Sequence, residues 1–203
     1  MSRTRDAVGG AIIAGGAATR MGGAPKGLLE VGGKRILDRL VEVFVDALGM
    51  LPLLVANAPD AASWRPDLRV VGDQRPGGTL AGLLTAVREA PAPVVAVAWD
   101  MPFVPAALIR ELAAGLADVD VCLPASGGRR GMEPLCAAYG PLTGPAMADA
   151  LDRGDLRAIA FHAAVRVRVL PEATVARFGA PERLFFNVNT ADDLVRANGM
   201  APP

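Results

Sequence analysis

Apolar residues along this chain fall into two alternating patterns. Strand-length runs rich in Val, Leu, Ile and Ala occupy 10–14, 51–56, 68–71, 93–99, 119–123 and 135–139. Between them the spacing turns helical. Ile36, Leu37, Leu40, Val41, Phe44, Val45 and Leu48 recur at i, i+3 and i+4, as do Leu80, Leu83, Leu84 and Val87 behind Thr79, a candidate N-cap. Leu108, Leu112 and Leu116 repeat the pattern, and Thr190-Ala191-Asp192-Asp193 has the form of a capping box with Asp in place of Glu, opening a last short helix. Such alternation predicts an α/β fold, a Rossmann-like, three-layer α/β/α arrangement around a mostly parallel sheet, with residues 1–203 as a single domain. The run Val94-Val95-Ala96-Val97-Ala98 is apolar throughout, as a strand covered on both faces requires. In open α/β sheets ligands gather outside the carboxyl ends of the strands. The loop from Gly15 to Lys26, Asn57, Asp73 and Asp100 each follow a predicted strand, so one edge should collect them.

Bulk composition narrows the function classes. The 203 residues are 52% hydrophobic, enough for a sizeable core, and 21 basic residues balance 21 acidic ones. Zero net charge argues against a nucleic-acid-coating or membrane-surface protein and leaves focused clusters to attract anions. Arg3 and Arg5 precede an apolar stretch in the manner of a secretory signal, but that stretch is short and gives way to Gly15, Gly16 and Arg20, so it reads as the first strand. No apolar run reaches membrane-spanning length, and a cytoplasmic location is expected. Cys122 and Cys136 form no C-x-x-C pair and have no neighbouring His, so they read as small core residues rather than zinc ligands. His162 has no Ser or Cys motif to complete a triad and reads as a helix or surface histidine.

The chemistry concentrates in the Gly-rich loop. Gly lets backbone N–H groups approach an anion, and Arg20 and Lys26 add the charge to hold a polyphosphate. It is neither a Walker loop, since Lys26 stands between Pro25 and Gly27, nor a G-x-G-x-x-G fingerprint. Asp100 ends a buried strand and is stiffened by Met101-Pro102, which suits a magnesium ligand; the alternative is a cap for the helix containing Leu108. Asp73 precedes a loop with Gly77, Gly78 and Gly82, and either accepts hydrogen bonds from a guanine edge or ribose or closes the strand as an Asx turn. Asn57 is a binding residue or a turn residue. Lys34-Arg35 opens a helix, near an anion or simply at the surface, and Arg129-Arg130 either meets an anionic second substrate or is solvated. If the segment 186–190 is extended, Asn187 and Asn189 share one face and reach toward the metal or an acceptor phosphate; otherwise they form turns before the Thr190 cap.

The run from Ile12 to Lys26 resembles the A-G-G-x-x-x-R-M-G-x-x-K signature of nucleotidyltransferases with a glycosyltransferase-A-like, nucleotide-diphospho-sugar transferase-like fold. Lys26-Gly27-Leu28-Leu29-Glu30 with Gly33-Lys34 is most similar to the molybdenum cofactor guanylyltransferases. So are Pro76 to Gly82, Asp100-Met101-Pro102-Phe103, Glu133-Pro134-Leu135 and Asn187-Val188-Asn189-Thr190. The resemblance implies that GMP passes from GTP to the terminal phosphate of molybdopterin carrying molybdenum, with pyrophosphate leaving. It implies Arg20, Lys26 and Asp100 as catalytic residues, Mg²⁺ on Asp100, and a substrate site at Ile13, Ala14, Gly15, Gly16, Lys26, Asn57, Asp73, Gly78, Gly82, Asp100, Asn187 and Asn189. The Glu133 block would follow the acceptor, and molybdoenzyme maturation proteins would receive the product. A cytidylyltransferase on the same pterin, or a sugar or polyol phosphate nucleotidyltransferase, would need the same loop and the same Asp100. A nucleotide-binding regulatory module would need no metal ligand.

Overall fold

The computed structural model describes residues 8–15, 25–90, 93–128 and 131–201. Its strands are β1 (Gly9–Ala14), β2 (Glu30–Val31), β3 (Lys34–Arg35), β4 (Leu53–Ala56), β5 (Val70–Val71), β6 (Val94–Ala98), β7 (Val121–Pro124), β8 (Cys136–Tyr139) and β9 (Val167–Leu170). The helices are α1 (Ile36–Leu48), α2 (Ala61–Trp64), α3 (Gly78–Glu89), α4 (Ala106–Ala114), α5 (Thr143–Asp152), α6 (Glu172–Val175), α7 (Pro181–Leu184) and α8 (Ala191–Met200). The main sheet runs β5-β4-β1-β6-β8-β7-β9, with β8 alone antiparallel to its neighbours, and β2 and β3 form a separate small hairpin.

Alternate side chains of each strand feed two cores. Ile12, Leu54, Val95, Val97, Cys122 and Cys136 pack toward α1, α4 and the C-terminal helices. Ala11, Ile13, Val55, Val94, Ala96 and Tyr139 pack toward α3 and α5. This is the double coverage that the apolar β6 run requires. Helix α1 lies so close to β1 that a Cβ on Gly10 would sit 2.6 Å from the Phe44 ring. Both cysteines are free and buried among apolar neighbours, and burial pushes the Cys122 thiol up to about 11.

One local expectation gives way to the structure. Helix α3 begins at Gly78 with Gly77 in the cap position, so Thr79 lies inside the first turn instead of capping it. Lys34 and Arg35 form strand β3 directly ahead of α1, which starts at Ile36 with Arg35 in the cap position, and Lys34 pairs with Glu42 at 2.7 Å on the surface. Strand β9 and the β2–β3 hairpin had no counterpart in the sequence reading. The capping box at Thr190 does form, with Thr190 accepting from the Asp193 N–H and the Asp193 carboxylate accepting from the Thr190 N–H.

His162, the chain's one histidine, sits in a short 3₁₀ turn, edge-on to Phe161 at 4.9 Å, its Nε2 buried without a partner among the described residues. Burial holds the imidazole below its ordinary value of 6.5, so the folded chain resists a proton that the unfolded chain accepts. The stability held by the neutral ring is complete above pH 6.5 and is lost as pH falls from there toward the depressed folded value. Between about pH 7 and about pH 5, denaturant stability of the unaltered chain should therefore fall more steeply than that of His162→Asn. Parallel curves for the two proteins would exclude this linkage.

Candidate functional site

Register decides which side chains meet. Strand β1 pairs with β4 as far as Ala14↔Ala56 and with β6 as far as Ile13↔Ala98. The chain therefore leaves the sheet at Gly15, Asn57 and Trp99-Asp100 side by side. Val55 pairs with Val71, which brings Asp73 to the same edge.

At the β6 end, Lys26, Asp100 and Asn189 form one cluster. The Lys26 Nζ donates to the Asn189 Oδ1 at 2.7 Å and lies 3.7 Å from the Asp100 Oδ2. The Lys26 and Asp100 side chains are only 13% and 15% exposed. Backbone bonds fix all three: the Trp99 N–H donates to the Ile13 carbonyl at 3.2 Å, and the Val188 N–H donates to the Asp100 carbonyl at 2.9 Å. Lys26 opens a 3₁₀ turn closed by the Leu29 N–H on its own carbonyl. The Asn189 N–H donates to the Asp193 carboxylate of α8 at 3.1 Å. Asp100 caps no helix, since α4 begins at Ala106 behind Pro105.

Burial pushes the Asp100 carboxyl above its ordinary value, against the pull of the Lys26 charge and a backbone hydrogen bond. A carboxylate so poorly solvated gains from a further cation, and Lys26 stands too far off to satisfy both oxygens. Among the described residues no group of three or more His, Cys, Asp or Glu could cage a metal. A single hard carboxylate of this kind suits a hard divalent cation.

At the β4 and β5 ends, Asn57 and Asp73 hold each other. The Asn57 Nδ2 donates to the Asp73 Oδ2 at 2.8 Å, and the Asp73 N–H donates to the Asn57 Oδ1 at 2.6 Å. The buried Thr85 hydroxyl reaches the other Asp73 oxygen at 3.4 Å. Both residues line a cavity of about 310 Å³ with Gly15, Arg75, Gly77 and Gly78. Gly77 and Gly78 enter α3 at φ 154° and 58°, a left-handed stretch that side chains resist. A Cβ on Gly82 would lie 3.1 Å from Ile13 and 3.7 Å from the Asp73 carboxylate, so a small residue here keeps the Asp73 wall close to the sheet. Ile13 is buried, Ala14 half-buried and Gly15 exposed on the cavity rim.

Gly16 and Arg20 lie outside the described residues, as do Arg129 and Arg130. Asn187 and Asn189 share no strand face, because 186–189 forms no regular element. The Asn187 amide closes a local turn on the Phe185 carbonyl at 2.9 Å, while Asn189 enters the cluster with Lys26. Glu133, Pro134 and Leu135 line a separate cavity of about 390 Å³ with Thr79, Met132 and Arg157. Arg75 is a residue the sequence reading passed over: it stands on the rim of the Asp73 cavity, ion-paired with Asp152 of α5. A cation between Asp73 and Gly77 was the available signal.

The MobA-like NTP transferase domain family matches residues 10–167. A molybdenum cofactor guanylyltransferase from a Bradyrhizobium species is 34% identical, over 98% of this chain and 96% of its own length. Another, from Desulfosudis oleivorans, is 32% identical over 95% of each chain. Among solved structures, molybdopterin-guanine dinucleotide biosynthesis protein A from Archaeoglobus fulgidus superposes with a TM-score of 0.80 at 25% identity, over 95% of this chain and 98% of that one. With its sheet, its strand-end cluster and near full-length relatives in agreement, the chain belongs to the molybdenum cofactor guanylyltransferases, nucleotidyltransferases with a MobA-like NTP transferase domain.

Proposed function

We propose that this chain, as a single nucleotidyltransferase domain in the cytoplasm, transfers GMP from GTP to the terminal phosphate of molybdopterin carrying molybdenum. Pyrophosphate leaves, and the molybdopterin guanine dinucleotide cofactor passes to molybdoenzyme maturation proteins. The observation that carries this reading is the meeting of Lys26, Asp100 and Asn189 beside the paired Asn57 and Asp73. Strands β4 and β6 flank β1, so the two clusters stand about 10 Å apart at ~4.8 Å per strand.

Guanine presents adjacent N–H donors that one carboxylate accepts together, and Asp73, with its orientation set by Asn57 and Thr85, is an acceptor of that kind. Cytosine offers no such pair on the same edge. The acceptor phosphate is already ionised at neutral pH, so it attacks the α-phosphorus in line without a dedicated base. The bond from the α-phosphorus to the bridging oxygen breaks, and the electron pair leaves on pyrophosphate. Lys26 and the loop amides at Gly15 and Gly16, with Arg20, neutralise that charge, and Asn189 keeps the Lys26 ammonium aimed. Asp100 would hold Mg²⁺, which when bound supplies electrostatic neutralisation of the phosphate oxygens.

Pyrophosphate release from the full chain with molybdopterin should require Mg²⁺ and GTP; preference for CTP would replace this reading with the cytidylyl one, and binding without turnover would replace it with a regulatory module. Lys26→Ala should lose about a hundredfold or more in turnover, the cost of one charge-stabilising donor. Turnover at the original rate in that variant would remove Lys26 from the mechanism.

Asn189→Ala and Thr190→Ala should separate chemistry from folding. The first removes the acceptor of the Lys26 ammonium and should lower turnover with little change in melting temperature. The second removes half of a capping box and should cost about 1 kcal/mol of stability while sparing turnover. Equal effects of both on turnover would show that Asn189 serves only as part of the cap.

A further inference from the structure

Trp99 immediately precedes Asp100, and Gly27 immediately follows Lys26. These two chain neighbours of the charged pair are in contact. A Cβ on Gly27 would lie 2.4 Å from the Trp99 Cε3, 3.0 Å from Cδ2 and 3.2 Å from Cζ3, so the six-membered half of the indole rests directly against the Gly27 backbone. Gly27 is not among the glycines with positive φ, so the space taken by the ring, not a left-handed turn, is what demands glycine here.

The ring has little freedom to recoil. Trp99 is 4% exposed and stacks on Trp64, with centroids 5.1 Å apart and planes 23° from parallel. Trp64 is itself held by its indole N–H on the Asp60 carboxylate at 2.9 Å. The Trp99 backbone is tied to β1 through the Ile13 carbonyl. Its own indole N–H has no acceptor among the described residues, so truncation there removes packing and no known hydrogen bond.

We infer that Trp99 is a positioning residue, a rigid spacer whose contact with Gly27 sets the separation of the Lys26 ammonium and the Asp100 carboxylate. The inference rests on the proposed roles of Lys26 and Asp100. Adding a methyl group at Gly27 pushes the Lys26 turn off the ring, and removing the ring lets the turn settle inward. Either way the pair loses its spacing, and a misplacement on the order of 1 Å costs about a hundredfold in rate.

The test compares Gly27→Ala, Trp99→Phe and the double variant in pyrophosphate release with GTP and molybdopterin, resolving kcat from the KM for GTP. Gly27→Ala should lose about a hundredfold in kcat with little change in KM. The smaller Phe ring makes room for the added methyl, so the double variant should recover to within about tenfold of the unaltered chain, a non-additivity that only contacting residues show. A kcat unchanged in Gly27→Ala, or a double variant as slow as Gly27→Ala alone, overturns the inference.

Should Gly27→Ala fail to fold, Trp99→Leu and Trp64→Leu decide the matter, because both break the same stack and only the first removes the ring measured against Gly27. Both should lower the melting temperature, with kcat falling further in Trp99→Leu, which removes the spacer, than in Trp64→Leu, which only loosens it; equal kcat in the two overturns the inference. Lys26→Ala distinguishes the levels. Full turnover there sinks the proposed site itself, whereas lost turnover there with indifferent Trp99 variants sinks only the spacer.

Discussion

A cation and a carboxylate, both largely withdrawn from water, face each other at the end of β6, and the remainder of the site is arranged around them. Neither charge would be tolerated alone at that depth, since desolvation of an unpaired ion costs several kcal/mol. Their separation of 3.7 Å is longer than a tight ion pair, and the ammonium spends its short hydrogen bond on the Asn189 amide. Asp100 thus retains oxygen lone pairs for another positive centre. The fold makes this arrangement by pairing β1 with β6 to the last residue and by docking the Val188 N–H on the Asp100 carbonyl. A carboxylate on a mobile loop could not be kept so incompletely neutralised.

Much of the sheet was legible because burial on both faces leaves a plain signature. The six apolar runs all became strands, and the helical spacing of Ile36 through Leu48 became α1. Direction is another matter. Side chains alternate in the same way in parallel and antiparallel strands, so nothing in Leu135 to Tyr139 distinguishes β8, the one reversed strand, from its neighbours. Strand β9 shows no continuous apolar run because it is an edge: Val167 and Val169 alternate with Arg166 and Arg168. In the structure those arginines are committed, Arg166 to Asp120 at 3.0 Å and Arg168 to Asp118 at 2.6 Å. The strand at Lys34 and Arg35 is hidden for a simpler reason, since two residues are too few to show any period.

Within the site, topology predicted the edge and not the partners. The strand-end rule brought Asn57, Asp73 and Asp100 to one side, yet it could not say that Asn57 and Asp73 exchange two hydrogen bonds while Asp100 turns to Lys26. Asn187 and Asn189 are chemically identical two residues apart, and only the local turn at Phe185 decides which amide remains free for the cluster. Thr79 lost the cap position to Gly77 because the chain enters α3 through left-handed angles that threonine resists. Contacts of this kind depend on close approach between segments far apart in sequence, and propensity carries no record of them.

The C-terminal helix shows how a local signal comes to serve a distant site. The Asp193 carboxylate accepts from the N–H groups of both Asn189 and Thr190, and although burial opposes it, these bonds hold its carboxyl below the ordinary value. That anion fixes the start of α8 and with it the Asn189 amide beside Lys26. Two turns further on, the Asn198 Oδ1 accepts the Gly32 N–H at 3.0 Å while its Nδ2 donates to the Leu194 carbonyl at 2.9 Å. One helix therefore grips the Lys26 segment at both ends, at Lys26 itself and at the β2–β3 turn. Arg39 of α1 adds a third hold through the Val31 carbonyl at 2.7 Å. Residues 25–35 bury few large side chains of their own, so their order depends on these borrowed hydrogen bonds, and the position of the ammonium follows from the docking of α8 as much as from the loop that carries it.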